Sequence, residues 1–451
     1  MMEKKWEEMS AKEKRDARFA DWASPKLPDG SDLPFQSPEA KAEYKARVQR
    51  FKDIIELKKP DRVPILLMAT FMPSYLGGAL PCDVMYDTEK LKSSFTKYMV
   101  DYKPDYYITP AFVGNGKVFD ILDYKLLRWP GHGIPNDATG YQYVEGEYML
   151  PEDYPALIED PSDFWLRTYM PRIFGALEPL RMIPPFTNQW EPVMVGPNFI
   201  PFGIPTVQEA LKALMNAGNE AMAWIQQIGA IEGGLMAMGF VNGAGGATKA
   251  PFDYLADTLR GSRGIMIDMY RHPDMVLKAM ERIIPIAIKS GAGGATMQRN
   301  PVVFLPLHRG ADGFMSDEQF KKFYWPQLKA VLVGLINEGC VPALFCEGSY
   351  NTRLEYLKEL PKASTLWIFD RSDMAKIKKL LGKTITIGGN VPAGLIATGT
   401  ADEVKTYCKN LIDVVGKGGG YMMANGTSMD DGKPETVHAL IDFTKEYGVY
   451  K

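Results

Sequence analysis

The chain is 451 residues long, 46% hydrophobic and 24% charged, with a formal net charge of −3. That balance suits a globular protein with ample core material and leaves no basic excess for a nucleic-acid partner. Apolar runs stop short of the roughly 18 residues a membrane span needs and the charged N-terminus has no apolar leader segment, so no membrane partner is expected and a cytoplasmic location is.

In chain order, "MMEKKWEEMSAKEKRDAR" mixes acids and bases as a solvated helix face does, and residues 1–50 are expected to form a peripheral helical arm. Thereafter a short apolar run, a Gly/Pro/Asn break and a helical stretch recur. Candidate strands fall at 62–70, 104–110, 192–198, 301–308, 340–347, 365–370, 385–390 and 420–425. After the second, "LLRWPGHGIPNDATGYQYVEGEYM" (126–149) is longer than a strand-to-helix loop requires. Residues 150–190 read as its helical continuation, which places an insertion, or lid, at about 120–190. The stretch "SDEQFKKFYWPQLKAVLVGLINEG" opens on a capping box, Ser316 with Gln319, and closes at Gly339. Eight near-continuous strands alternating with helices predict an α/β fold, a TIM (β/α)8 barrel over residues 51–451, with a doubly wound open sheet as the alternative. The glycine-rich "GGATKA" near residue 245 lacks the GxGxxG spacing and does not indicate a nucleotide site.

A barrel of this kind builds its site at the carboxyl ends of the strands. Those ends are Met68, Thr109, Asn198, His308, Glu347, Asp370, Asn390 and Asn425. Glu347 closes the apolar run "VPALFCEG", and His308 closes the run before it. One imidazole beside one carboxylate predicts an open zinc site, completed by another strand-end acid or by water. Asp370 is counted with them as a catalytic candidate. The plainer alternative is a loop-capping acid and a His308–Asp312 hydrogen bond. Alternation along the strand turns Cys346 towards the helices, away from any metal. Cys82, Cys340, Cys346 and Cys408 lack CxxC spacing, so neither a disulfide framework nor a zinc finger is indicated. Met68, Asn198 and Asn390 at strand ends, with Trp129 and His132 in the lid, are candidate substrate contacts. Tyr141 and Tyr143 suit an aromatic guest, whereas His272 and His438 read as surface or structural residues.

The segments "GFVNGAGGATKAPFDYLADTLRGSRGIMIDMYRHPDMVLKAM", "MSDEQFKKFYWPQLKAV", "GGNVPAGLIATGTADEVKTYCKNLI" and "GKGGGYMMANG" together resemble the uroporphyrinogen decarboxylase superfamily over about residues 50–451. The resemblance implies a barrel whose mouth carries out either porphyrinogen decarboxylation or corrinoid-dependent methyl transfer. It also makes Tyr254 a candidate substrate contact, and Phe252 with it. The decarboxylases hold several substrate carboxylates with arginines, and their first strand ends in Met-Arg-Gln-Ala-Gly-Arg. Here "VPILLMATFMPSYLGG" contains no arginine after Arg62. The zinc methyltransferases carry His-x-Cys-Gly, where this chain has Phe345 and Glu347 in "FCEG", and the later metal-binding cysteine has no counterpart in "MMANGTSMDDGKP". Oxygen and imidazole ligands make a metal more Lewis-acidic than thiolates do. The expectation is therefore a zinc-assisted, cobalamin-dependent O-demethylation: a methyl group leaves a small substrate, such as a methoxylated aromatic, for cob(I)alamin on a separate corrinoid protein. Three alternatives stay open: transfer from a methyl-corrinoid protein to an acceptor, a decarboxylase-like activity, and a non-catalytic barrel that binds a tetrapyrrole or a corrinoid protein. A homodimer is also admitted.

Overall fold

The computed structural model describes residues 4–451 except 28, 139, 189 and 190. Its centre is a parallel barrel. The strands are β1 (Ile65–Leu66), β2 (Tyr106–Tyr107), β3 (in two pieces, Val241–Asn242 and Gly246–Ala247), β4 (Val302–Leu307), β5 (Val341–Cys346), β6 (Leu366–Phe369), β7 (Thr386–Gly389) and β8 (Tyr421–Ala424). The first piece of β3 pairs with β2 and the second with β4, so one broken strand joins both edges of the sheet and closes it. The expected TIM barrel is the fold.

One strand was misplaced by the sequence reading. Residues 192–198 are not the third strand: Pro192–Phe199 is a helix, begun by proline at its first position, where a missing amide costs nothing. Asn198 therefore does not end a strand and is not among the residues that line the mouth cavity. The true third strand, within "FVNGAGGA", has almost no apolar side chains to betray it. Helix α4 (Pro273–Met297) packs directly on its backbone, where a Cβ on Gly246 would collide with the Gly291 carbonyl, and one on Gly245 would collide with the carbonyl of Asn300, just ahead of β4. Glycine lets two backbones approach here at the cost of the hydrophobic signal.

Alternation sorts the strand residues into two cores. Leu66, Tyr106, Phe304, Ala343, Phe345, Ile368 and Met422 fill the interior, while Leu305, Leu344, Cys346, Trp367 and Met423 pack outward against the helices. Register aligns the inward layer, with Pro306 opposite Phe345 and Phe345 opposite Ile368. Cys346 lies in the outer core as expected, and burial raises its thiol pKa well above the ordinary value.

The N-terminal segment belongs to this interior. Helices α1 (Ala11–Trp22) and α2 (Pro38–Ile55) bring Phe19, Trp22, Phe51, Ile54 and Ile55 into the same cluster as the inward strand residues. The Phe51 ring meets Tyr106 edge-on at 5.5 Å, and the Thr386 hydroxyl donates to the Ile54 carbonyl at 2.7 Å. The arm plugs the barrel floor, and the division expected at residue 50 falls inside α2. Beneath it, burial alone would raise the Asp105 pKa, but Arg62, Arg50 and Arg47 hold it low.

The insertion runs from the end of β2 to β3 and ends in the 33-residue helix α3 (Pro205–Ala237). Its three-stranded sheet, Leu127–Pro130 with Gly133–Ile134 and Gln142–Tyr143, forms the lid. Arg260, almost fully buried, pins the lid to the barrel: its guanidinium donates to Asp268 (2.5 Å), to Glu147 (3.2 Å) and to the Met149 carbonyl. Among the described residues no helix is long and apolar enough to cross a membrane.

Candidate functional site

The strand ends and the lid enclose a cavity of about 730 Å³ at the carboxyl end of the barrel. That is an ordinary size for a small-molecule site. Its apolar wall includes Met68, Phe71, Phe112, Tyr141, Phe304 and Phe345, and its polar wall includes Lys249, Asp257, His308, Arg309 and Glu347, with the acids Glu145 and Asp430. A larger groove of about 1140 Å³, between α1 and α4 on the outside of the barrel, contains none of the strand-end side chains.

His308 follows β4 and Glu347 follows β5, so the two stand side by side, with His308 Nε2 3.8 Å from Glu347 Oε2. The other ring nitrogen, Nδ1, lies 2.7 Å from Asp257 Oδ2. That carboxylate also accepts from Lys249 at 2.8 Å and has Arg309 Nε 3.5 Å from its second oxygen. Asp257 is carried by the π-turn Leu255–Leu259, directly after the short helix Pro251–Tyr254. One turn earlier, the fully buried Asp253 accepts from the backbone amides of His308 (3.2 Å) and Arg309 (3.1 Å) and from the Tyr324 hydroxyl (2.8 Å). Two acids four residues apart thus serve one histidine, one through its ring and one through its backbone.

The electrostatics follow from these contacts. Burial disfavours the His308 imidazolium, but the hydrogen bond and charge of Asp257, with the charges of Asp253 and Glu347, more than offset it, and its pKa is raised. Asp257 is likewise opposed by burial yet held low by His308 and Lys249. Asp253 is pushed up by burial and by the neighbouring Asp257 charge, and Glu347 by burial and by Asp257 and Asp370 against the pull of His308. Of the two acids that serve His308, Asp257 is therefore the more acidic.

Several expected contacts are elsewhere. Trp129 does not face the cavity: it is fully buried in the lid, its indole donating to the Tyr86 hydroxyl at 3.1 Å. His132 lies outside the cavity, stacked on Trp129 at 4.0 Å and exposed on its other side. The lid residues that do line the cavity are Gly140, Tyr141, Tyr143 and Glu145. Tyr254 stands behind the wall, its hydroxyl 3.5 Å from that of Thr248, and Phe252 is core, packed on Phe314 and Tyr324. Asn390 and Asp370 border a separate rim recess: Asn390 donates to the Asp370 carbonyl at 2.7 Å, and Asp370 accepts from the Gly348 amide at 3.1 Å. Asn425 accepts from the Met68 amide, which makes it structural. His308 does not bond Asp312, whose carboxylate binds Ser349, Asn351 and Thr352. Met68 lines the cavity as expected. Lys249, Asp257, Asp253 and Arg309 were missed, although the 253/257 spacing in "APFDYLADTL" does place both acids on one helical face.

The donor set tests the expected zinc. His308 Nε2 and Glu347 Oε2 are two donors within reach of one ion; Asp257 is engaged by His308, Lys249 and Arg309, and Asp370 is bonded to Gly348 in the rim recess. A catalytic zinc takes three protein ligands. Among the described residues no group of three or more His, Cys, Asp or Glu is placed to hold a metal, and the set present does not fit that centre.

Residues 242–447 match the uroporphyrinogen decarboxylase (URO-D) family model. The match runs from β3 into the last helix and agrees with the superfamily expected from the sequence. A solved structure described as a methyltransferase from Methanosarcina mazei aligns over 89% of this chain and 98% of its own, at 14% identity with a TM-score of 0.58, and shares the fold. A B12-independent methionine synthase from Shewanella sp. W3-18-1 in complex with selenomethionine aligns over 44% of this chain and 59% of its own, at 12% identity and a TM-score of 0.32, too low to argue from. No curated protein matches the sequence.

Proposed function

We propose that the chain is a methyltransferase that takes a methyl group from a small, uncharged substrate such as a methoxylated aromatic. A cob(I)alamin-type nucleophile on a partner corrinoid protein would accept it. One observation carries this reading: one wall of the mouth cavity is aromatic and aliphatic, and the lysine and arginine that line the other, Lys249 and Arg309, both sit against Asp257. A substrate with several carboxylates would find no uncommitted lysine or arginine there, which disfavours the decarboxylase alternative. A planar apolar guest would find Phe304 and Phe345 beneath it and Tyr141 above. The Methanosarcina methyltransferase of the same fold adds support.

In this reading the aromatic wall orients the substrate and excludes water, so that its methyl group faces the open side of the mouth. The heteroatom left behind then lies towards His308 and Glu347. The test is to incubate the purified protein with methoxylated benzenes and free cob(I)alamin and follow methylcobalamin by its absorbance. Enzyme-dependent methylcobalamin supports the reading; a rate no faster than the protein-free control for every donor contradicts it.

A further inference from the structure

The side chains that fall short of a metal centre are arranged as a proton donor. His308 offers two nitrogens in different settings: Nδ1 is tied to Asp257, while Nε2 faces Glu347 across 3.8 Å at the cavity wall. A carboxylate behind an imidazole fixes its tautomer and stabilises its protonated form. Here Asp257 is anchored in turn by Lys249 and flanked by Arg309, and Asp253 with Tyr324 grips the backbone that carries the ring. The groups that face the ring are Asp257 and Asp253 from the helix after β3, Lys249 before that helix, Arg309 next in sequence and Glu347 from β5.

We propose that His308 is the general acid of this site and delivers its Nε2 proton to the heteroatom released as the methyl group departs, a role that requires no metal ion and rests on the methyl-transfer reading above. The nucleophile's electron pair forms the new bond to the methyl carbon, and the carbon–oxygen bond breaks with its pair left on oxygen. That oxygen takes the Nε2 proton, so the product leaves as a neutral alcohol or phenol and the ring as neutral imidazole. Glu347, 3.8 Å from Nε2 and with its side chain 40% exposed to solvent, is the group through which the ring regains its proton.

Two measurements decide it. In the first, the His308 ring is titrated by NMR, its signal assigned with His308→Gln. The wild-type ring should titrate above the ordinary histidine value of about 6.5 and fall by about one pH unit or more in Asp257→Asn. In the second, methyl transfer to cob(I)alamin is compared for anisole, which leaves as a strongly basic phenolate, and 4-nitroanisole, whose phenolate leaves unaided. His308→Gln should slow anisole about a hundredfold and 4-nitroanisole only a fewfold, and neither chelator nor added zinc should change the wild-type rates. Equal losses on both ethers, a rate that follows zinc, or a wild-type ring that titrates at or below 6.5 overturns the role while leaving methyl transfer in place. If the wild type moves no methyl group from either ether, both the role and the methyl-transfer reading fall. A cooperative unfolding transition retained by His308→Gln guards against simple misfolding.

Discussion

At the scale of single residues, the centre of the account is the pair His308–Asp257, and its energetics are readable as a pH dependence. The His308 pKa is raised on folding, so its contribution is fully present below the unfolded value near 6.5 and is lost as pH rises through the folded value. Asp257 is lowered, so its contribution is present above about 3.9 and is lost as pH falls through its folded value. Wild type should therefore exceed Asp257→Asn in unfolding free energy most clearly at about pH 5 to 6.5, by about 2 kcal/mol, and the gap should narrow by about pH 9. Denaturant melts at pH 6 and pH 9 check it, and a gap that widens with pH would contradict the assignment. The sequence made His308 and Glu347 legible because each ends an apolar run. It left Asp257 and Lys249 obscure because they lie in a segment with no strand-like run to mark it, and the π-turn that aims Asp257 has no sequence signature of its own.

At the scale of elements, the lid separates two kinds of aromatic residue. Trp129 is fully buried between Phe119 and His132, so Trp129→Ala should cost about 3–5 kcal/mol and lower the melting temperature. Tyr143 lines the cavity with 63% of its surface exposed, so Tyr143→Ala should leave stability within about 0.5 kcal/mol and weaken substrate binding several-fold. Calorimetric melting alongside a titration with methoxybenzene separates the two, and the reverse pattern would place the lid wrongly. The lid is legible through its length and its aromatics, but the sequence does not separate Trp129, which the protein buries, from Tyr141 and Tyr143, which line the cavity. Composition says that a large apolar side chain will be buried, and only packing says whether protein or substrate buries it. The third strand was lost for the opposite reason: its glycines serve a close backbone approach, and a strand without side chains has no periodicity to read.

At the scale of the whole molecule, seven of the eight strands were visible as apolar runs, and with them the barrel and the position of its mouth. The role of the arm was not visible, because α1 and α2 carry charged residues on one face and hide Phe19, Trp22, Phe51 and Ile54 on the other. Removing residues 1–55 should therefore abolish cooperative unfolding, and Phe51→Ala alone should cost about 3–5 kcal/mol. A truncated chain that melts cooperatively at the wild-type temperature would return the arm to the periphery.

The central claim is that an apolar barrel mouth in a uroporphyrinogen decarboxylase-family fold moves a methyl group and does not remove carboxylates. It is tested most directly by giving the full-length protein a methoxybenzene with cob(I)alamin in one vessel and a propionate-bearing porphyrinogen in another, and measuring methylcobalamin in the first and carbon dioxide in the second. The account predicts methylcobalamin above the protein-free control and no enzyme-dependent carbon dioxide; carbon dioxide without methylcobalamin would contradict it.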